Sequence, residues 1–239
     1  MFTHTALPQQ SGWFRQNSGT NQDIYSVFFF NPDTGIAVGT FSTILKTTNG
    51  GLNWVSKNAG VQSSLFIALC FINTNTGFVS GYDGDFVKTT DAGETWILFP
   101  QNRGCVYSFF FINQSTGFGV GRHNNIIKTT DTGNNWTSMS SYGDTNFTSI
   151  YFTNESVGFI SCEQGSIFRT TNGGFTWSSQ YNSSNYALWS ITFINANTGF
   201  AAGQINYYDS ALILKTTNSG QNWNIIVSGV GNNINCIKF

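Results

Sequence analysis

An eight-residue segment that recurs five times constrains the fold of this chain more than any other feature. The segment reads T-T-[ND]-x-G-x-x-W, and each copy is called a box below. The tryptophans that close the boxes are separated by 42, 40, 41 and 46 residues, and Trp13 lies 41 residues before the first of them. This spacing predicts a chain that repeats one structural unit of about 41 residues. The boxes span Thr47–Trp54, Thr89–Trp96, Thr129–Trp136, Thr170–Trp177 and Thr216–Trp223.

Each unit contains four short apolar segments, of which the third runs into the box and the fourth begins at its tryptophan. The segments are rich in β-branched and aromatic residues and are bounded by Gly, Asn or Asp, as at residues 26–30 and 34–39. No sustained 3.6-residue apolar period indicates a helix. Because one four-stranded sheet cannot bury both of its faces alone, such units stack as propeller blades. We therefore predict an all-β fold, a β-propeller of four-stranded blades.

The ends of the chain predict a split and incomplete sixth blade beside five complete units. Residues 12–19 match a fourth strand and residues 234–239 match a first strand, whereas the second and third strands of that blade are missing. We assign residues 1–11 to a leader or tail and residues 12–239 to a single domain. Open sheet edges favour aggregation. The chain is therefore expected to belong to a longer polypeptide or to be covered by another subunit.

The box itself is predicted to be structural. Its Asn or Asp can accept hydrogen bonds from backbone amides two residues on, its Gly supplies a positive φ, and its Trp packs between blades. The predicted structural residues are Asn49, Trp54, Asp91, Trp96, Asp131, Trp136, Asn172, Trp177, Asn218 and Trp223.

Composition excludes several classes of function. Charged residues make up 9% of the chain and the net charge is -1, so clustered cations for nucleic acid or anionic lipid are lacking. No apolar run approaches the ~20 residues of a membrane span, which predicts no membrane insertion. A neutral polar composition favours an extracellular or cell-surface protein. Since the N-terminus shows no secretory signal, the protein is either cytosolic or a mature or excised form, and the composition favours the second.

The four cysteines do not indicate a metal or redox site. Cys70, Cys105, Cys162 and Cys236 form no C-x-x-C pair and fall at different places in the repeat. We expect buried free thiols, no metal and no cofactor.

The box resembles the Asp-box, or BNR, repeat of sialidase-type propellers. The full unit is more similar still to the photosystem II assembly-factor family of propellers, and to many secreted bacterial proteins with the same repeat. The resemblance covers residues 12–239. It implies the fold but not the function, because propellers support unrelated activities.

Resemblance to sialidases would imply an arginine triad, a Tyr nucleophile with a partnering Glu, and an acid/base Asp. The chain has four arginines, Arg15, Arg103, Arg122 and Arg169, and the last takes the place of Lys46 in its unit. We therefore predict no catalytic residues and no enzyme, with a sialidase-like glycoside hydrolase as a distant alternative. The basic patch that the photosystem II assembly-factor resemblance implies would also need more arginines.

In the topology that the resemblance implies, the loops between second and third strands share one face with the connections between units. These loops differ in every unit, at residues 40–43, 82–85, 122–125, 163–166 and 204–211. Divergent loops on a repeated scaffold are typical of a binding surface, although unconstrained drift is an equal alternative. Asp83 and Asp85 are too few for a calcium site. The candidate ligand-binding residues are Tyr82, Asp83, Asp85, Arg122, His123, Glu163, Tyr207, Tyr208 and Asp209.

The leading functional hypothesis is a non-catalytic, secreted or surface binding module that recognises a protein or a glycan through this face. The alternative is a structural or assembly subunit of a longer chain or an extracellular filament, which associates with itself through the open terminal strands.

Overall fold

The computed structural model describes residues 16–62, 64–99, 104–139, 145–205 and 210–239. Within these ranges the chain forms 20 strands in five antiparallel sheets, each with its four strands in chain order. The helical structure of the described ranges is limited to one 3-10 turn, Arg122–Asn124, and none of their helices is long and apolar enough to cross a membrane. The prediction of an all-β propeller with five complete units is confirmed.

The five blades follow one another along the chain. The first consists of β1 (Ile24–Phe29), β2 (Gly35–Gly39), β3 (Ile44–Thr47) and β4 (Val55–Ser56). The second consists of β5 (Phe66–Phe71), β6 (Gly77–Gly81), β7 (Phe86–Thr89) and β8 (Ile97–Leu98). The third consists of β9 (Val106–Phe111), β10 (Gly117–Gly121), β11 (Ile126–Thr129) and β12 (Thr137–Ser138). The fourth consists of β13 (Phe147–Phe152), β14 (Gly158–Cys162), β15 (Ile167–Thr170) and β16 (Ser178–Tyr181). The fifth consists of β17 (Tyr186–Phe193), β18 (Gly199–Ile205), β19 (Ser210–Thr216) and β20 (Asn224–Val230).

Neighbouring blades meet along their first strands. Strand β1 contacts β5, β5 contacts β9, β9 contacts β13 and β13 contacts β17. These first strands are the innermost strands of the blades, and the short fourth strands lie at the outside. The core accordingly consists of separate apolar clusters, each formed where two sheets face each other.

Each box is held by its own side chains. In the second blade, Thr89 Oγ1 accepts hydrogen bonds from the amides of Gly93 (3.0 Å) and Asp91 (3.3 Å), and Asp91 Oδ1 accepts one from the amide of Thr95 (2.9 Å). The other four boxes repeat this pattern. The prediction that the Asn or Asp side chain binds the amide two residues on is wrong. That amide belongs to the glycine and is taken by the threonine, so the side chain binds the amide four residues on.

The box glycine also allows two blades to approach closely. A Cβ atom on Gly174 would lie 2.6 Å from Cε1 of Phe118, which projects from the preceding blade, and the φ of Gly174 is +80°. The same contact joins Gly93 to Ile36, Gly133 to Phe78 and Gly220 to Phe159. Glycine is required here by the neighbouring blade as well as by the turn.

A cation in the third strand of one blade holds the box of the next. Lys46 Nζ donates to the carbonyl of Ala92 (2.8 Å) and pairs with Glu94 Oε1 (2.7 Å). Lys88 and Lys128 likewise reach the following boxes through Asn134 and Gly173. Arg169 Nε donates to the carbonyl of Ser219 at 3.1 Å. Arg169 therefore links two blades, in the position that a lysine occupies elsewhere.

The box tryptophans lie between the sheets. Trp136 is 2% exposed, and the centroids of Phe78, Phe86 and Phe111 lie within 5.9 Å of its own. The tryptophans of blades two, four and five are also buried. Trp54 of the first blade is only half-buried. Among the described residues, no preceding blade covers it.

The last residues of the chain continue the series of innermost strands. The Ile237 amide donates to Ser190 Oγ (3.2 Å), as the Ile191 amide donates to Ser149 Oγ (3.3 Å) one blade earlier. The ring of Phe239 lies 5.1 Å from that of Phe200, a contact equivalent to the one between Phe193 and Phe159. Residues 234–239 thus occupy the first-strand position of a sixth, incomplete blade. Its predicted N-terminal part lies largely outside the described residues, and residues 16–19 form no strand.

We predict that Trp136→Ala destabilises the protein by roughly 3 to 5 kcal/mol, since it removes a buried aromatic side chain and leaves a cavity between two blades. Trp54→Ala is the matched control, because the same box position is half-buried in the first blade, and should cost no more than about 2 kcal/mol. Urea unfolding followed by circular dichroism measures both. Equal losses would contradict the assignment of Trp136 to a buried layer between blades.

A second prediction concerns acid stability. Burial raises the pKa of Asp91, but hydrogen bonds from Thr95, Thr89 and the Glu94 amide outweigh it and lower the pKa to about 2. Ionised Asp91 therefore stabilises the fold above the pKa of an unfolded aspartate, about 3.9, and this stabilisation is lost as the pH falls towards 2.

Asp91→Asn should reduce the loss of stability between about pH 4 and pH 2, because asparagine fills the same position in three other boxes. The reciprocal variant Asn172→Asp should gain acid sensitivity over that range. Thermal unfolding at a series of pH values tests the pair. If both variants follow the wild-type pH profile, the box aspartates are not responsible for acid unfolding.

Candidate binding face

The loops between second and third strands lie beside the connections that lead from one blade to the next. The amide of Tyr82 donates to the carbonyl of Leu65 (2.8 Å), and that of Asn124 donates to the carbonyl of Thr145 (2.8 Å). The second of these bonds joins the third blade to the start of the fourth. We call this side of the molecule the loop face. It has a continuous hydrogen-bonded framework from which the variable side chains project.

The tips of these loops require positive φ. Blades two and four meet this requirement with Gly84 and Gly165, whereas the third blade uses His123 (φ 53) and Asn124 (φ 59). The first blade places Phe41 at the equivalent tip, where its side chain is exposed. Left-handed backbone at a non-glycine residue costs about 1 kcal/mol or more. The first and third blades therefore present a side chain at the tip at the expense of backbone strain.

A cleft of about 660 Å³ opens on the loop face between the second and third blades. Four of the predicted ligand-binding residues line it: Tyr82, Asp83, Arg122 and His123. The guanidinium carbon of Arg122 lies 4.9 Å from the centroid of the Tyr82 ring. This stacking holds a half-buried cation at the side of the cleft, and the exposed His123 lies next to it.

The base of the cleft includes the buried thiol of Cys105. Burial raises the pKa of Cys105 to about 11, against smaller opposing effects of Tyr107 and Arg122. Burial also raises the pKa of Tyr107. Both groups are therefore neutral near pH 7, and Cys105 does not have the lowered pKa of a reactive thiol.

Two further predicted ligand-binding residues, Glu163 and Asp85, do not line the cleft. Glu163 is half-buried, and its Oε2 accepts a hydrogen bond from Asn146 Nδ2 (2.6 Å). Asn146 Oδ1 in turn accepts one from the amide of His123 (3.0 Å), which connects the third and fourth blades. Asp85 is half-buried, and its backbone carbonyl closes the loop by accepting from the Gly81 amide.

The long loop predicted at residues 204–211 is shorter in the structure. Gln204 pairs with Ala211 and Ile205 pairs with Ser210, so β18 and β19 extend the hairpin beyond the length found in the other blades. Tyr207, Tyr208 and Asp209 lie outside the described residues, and their proposed role stays a prediction.

Sequence reasoning missed a second cavity, at the centre of the molecule. Each innermost strand carries a β-bulge at the same place: in the third blade, Val106 pairs with Gly121 and Ser108 with Val120, which leaves Tyr107 without an opposing residue. A bulge redirects one side chain. The bulge residues are Tyr25, Ile67, Tyr107, Thr148 and Trp189.

All five bulge residues line one cavity of about 500 Å³, together with Glu163 and Asn235. Asn235 precedes Ile237 by two residues, as Trp189 precedes Ile191, so the sixth innermost strand contributes the equivalent residue. We call this space the central cavity. The sequence signal was one position in each first strand, between an apolar residue and a serine or alanine. The residue at that position varies among Tyr, Ile, Thr and Trp.

Other predicted features have simple positions. Within the described ranges, no three or more His, Cys, Asp and Glu side chains are placed to hold a metal ion. The cysteines are free; Cys105 and Cys162 are buried, Cys70 is half-buried, and Cys236 is exposed, contrary to the expectation of burial. Arg122 and Arg169 lie on different sides of the molecule, at the cleft and at a box, and Arg15 and Arg103 are outside the described residues.

Solved structures similar to this one include YCF48 proteins and GH74 enzymes. A YCF48 structure with a bound D1 peptide shares 17% identity over 92% of this chain and 85% of its own, with a TM-score of 0.51. YCF48 from Cyanidioschyzon merolae shares 17% identity over 90% and 88%, with a TM-score of 0.59. An ancestral GH74 enzyme shares 18% identity over 94% of this chain but 34% of its own, with a TM-score of 0.73. At these identities the likeness concerns the fold alone. No curated protein sequence is similar enough to count as a relative.

The family model of the photosynthesis system II assembly factor YCF48 matches residues 5–104 and 139–229, which is most of the chain. The suspected resemblance to that family is thereby confirmed. The expectation of an extracellular or cell-surface location is wrong, because the family model that matches is that of a photosynthesis system II assembly factor. That expectation rested on a neutral polar composition, which does not distinguish between compartments. By its repeat, its blade architecture and this match, the chain belongs to the photosynthesis system II assembly factor YCF48 family.

Proposed function

We propose that this protein is a non-catalytic assembly module that binds an extended segment of a partner protein on its loop face. The observation that carries the proposal is the cleft between the second and third blades, where Arg122 is stacked on Tyr82 beside the strained His123. The family is that of an assembly factor rather than an enzyme, and one YCF48 structure contains a bound D1 peptide. Both findings support a peptide ligand.

Arg122 is the group of the cleft that would bind an acidic or C-terminal group of the partner, and Asp83 lies in the same lining. The Tyr82 ring restrains the Arg122 side chain, so less side-chain entropy is lost when its guanidinium binds a carboxylate with two parallel hydrogen bonds. The framework that carries Arg122 is held to the preceding connection by the bond from its amide to the carbonyl of Cys105 (3.1 Å). A preorganised cation in a cleft is typical of an anchor that gives most of the binding energy.

A glycan ligand is the alternative within this proposal. Aromatic side chains at Tyr82 and Phe41 suit a sugar ring as well as a peptide. The likeness to GH74 enzymes does not decide the matter, since it extends to the fold alone. A charged anchor favours the peptide.

Self-association is a second candidate function, supported by the first blade. Phe29 is 42% exposed, whereas its equivalents Phe152 and Phe193 are each 4% exposed, and Val27 is 57% exposed. At the other end of the arc Phe239 is 71% exposed. Among the described residues, no other blade packs on Val27 and Phe29 of the first sheet, and Phe239 covers only part of the fifth sheet. Their apolar character suits a second copy of the chain.

The first prediction of the proposal concerns the cleft. In a titration with a fluorescent D1 peptide, Arg122→Ala should weaken binding at least about tenfold and Tyr82→Ala several-fold, because each removes one half of the stacked pair. Phe175→Ala is the matched control: Phe175 is an exposed ring that also stacks on a cation, Lys128 (4.5 Å), but in a box away from the loop face. Unchanged affinity in both cleft variants, or glycan-array binding that Arg122→Ala removes, would contradict the peptide proposal.

The second prediction concerns the ends of the arc. If a second copy covers the first blade, sedimentation equilibrium should show concentration-dependent association that Val27→Asp abolishes, since a carboxylate would be desolvated in the contact. Ile97→Asp is the control, because it alters an exposed apolar residue on the fourth strand of the second blade, away from both ends of the arc, and should leave association unchanged. A wild-type protein that stays monomeric at every concentration would exclude this candidate.

A further inference from the structure

We infer that the central cavity binds an arginine side chain of a partner protein. The cavity is distinct from the cleft and is lined by different residues, so this inference does not depend on the proposed peptide site. Its lining brings together three aromatic side chains, one carboxylate and three smaller residues, contributed by five consecutive innermost strands, the segment of Asn235 and one loop.

The aromatic side chains supply the first part of the argument. Tyr25, Tyr107 and Trp189 come from the first, third and fifth blades and line the same space of about 500 Å³. Rings from separate strands around a common cavity can present their faces to one guest. Cations are attracted to the faces of Trp and Tyr, and the flat, weakly hydrated guanidinium stacks on them.

The carboxylate of Glu163 supplies the second part. It is half-buried at the cavity and is oriented by the hydrogen bond from Asn146 Nδ2 (2.6 Å). No Lys or Arg is among the described residues that line the cavity, so Glu163 meets no cationic side chain within it. A partly desolvated carboxylate without an opposite charge favours a cationic ligand over a neutral one. A sugar could stack on the aromatic rings, but it would not neutralise the carboxylate of Glu163.

The bulges supply the third part, because they fix the geometry. In the fourth blade the hydroxyl of Thr148 donates to the carbonyl of Leu188 (2.7 Å), which ties its bulge to the neighbouring innermost strand. In the third blade a Cβ on Gly121 would collide with the carbonyl of Cys105, so a glycine is needed opposite the bulge. The five bulge side chains are thus placed by hydrogen-bonded strands, and the loop residue Glu163 is held by backbone and side-chain hydrogen bonds to Asn146, so binding needs little reorganisation.

The test is a nuclear magnetic resonance titration of the full chain with its tryptophan indoles labelled with ¹⁵N. Trp189→Phe identifies the Trp189 Nε1 signal among those of the seven tryptophans. The probe is N-acetyl-arginine amide, and the control is N-acetyl-citrulline amide, which has nearly the same shape and no charge. We expect the arginine probe to shift the Trp189 signal saturably, with a dissociation constant on the order of 1 mM, and the citrulline probe to bind at least about tenfold more weakly.

Glu163→Gln should weaken binding of the arginine probe about tenfold while the Gln carbonyl still accepts the hydrogen bond from Asn146. Glu155→Gln is the matched control, because it removes the same charge from an exposed turn of the same blade outside the cavity. Unchanged indole signals of the box tryptophans show that the variants are folded. The inference is overturned if the Trp189 signal does not move, if citrulline amide binds equally well, or if Glu155→Gln and Glu163→Gln have equal effects.

Discussion

The contact between one blade and the box of the next is the interaction on which the rest of this structure depends. A four-stranded sheet leaves two apolar faces, and no blade can bury both within itself. The box joins two such faces. Its glycine leaves room for an apolar side chain of the preceding blade, its backbone carbonyl accepts a hydrogen bond from a cation of that preceding blade, and its tryptophan fills the remaining gap. The hydrogen bonds within the box keep these three groups in one geometry.

The same scaffold explains why binding features gather on one side. The turns that carry the boxes are committed to joining blades, so they cannot vary without loss of stability. The loops at the other end of the strands are joined to the next blade mainly through backbone amides, so their side chains can differ from blade to blade. The innermost strands add a second source of variation, because each bulge sends one side chain towards the centre. Arg122 and Glu163 thereby place opposite charges in two separate spaces, joined by the hydrogen bonds of Asn146.

Much of the fold could be predicted from the sequence because its determinants are local and repeated. The box, the strand pattern and the match of residues 234–239 to a first strand each recur several times, and repetition removes the ambiguity of a single short motif. The role of Lys46 and its equivalents was not foreseen, since their partners lie 45 to 50 residues away, in the next box. The hydrogen-bond partner of the box Asn or Asp was misassigned because two side chains compete for the glycine amide.

The candidate site could be predicted only in part. Tyr82, Asp83, Arg122 and His123 were found by comparing loops, because proximity in space follows from equivalent positions in adjacent blades. Tyr25, Tyr107 and Trp189 were missed for two reasons. A bulge depends on strand register, and the apolar pattern of a strand assigns the residues inside it to the core. The predicted location was wrong because amino-acid composition reflects solubility and does not specify a cellular compartment.

The contact between blades also has a direction. Each unit offers an apolar side chain and a cation on one flank and receives them on the other, so the joint is heterologous and every copy of it is alike. Each unit therefore carries both of the surfaces through which it contacts its neighbours. Whole repeat units can be duplicated or deleted in a gene without redesign of the neighbouring units, whereas a partial unit leaves one contact surface exposed. Blade number can in this way change in evolution independently of the chemistry that the loops and bulges acquire.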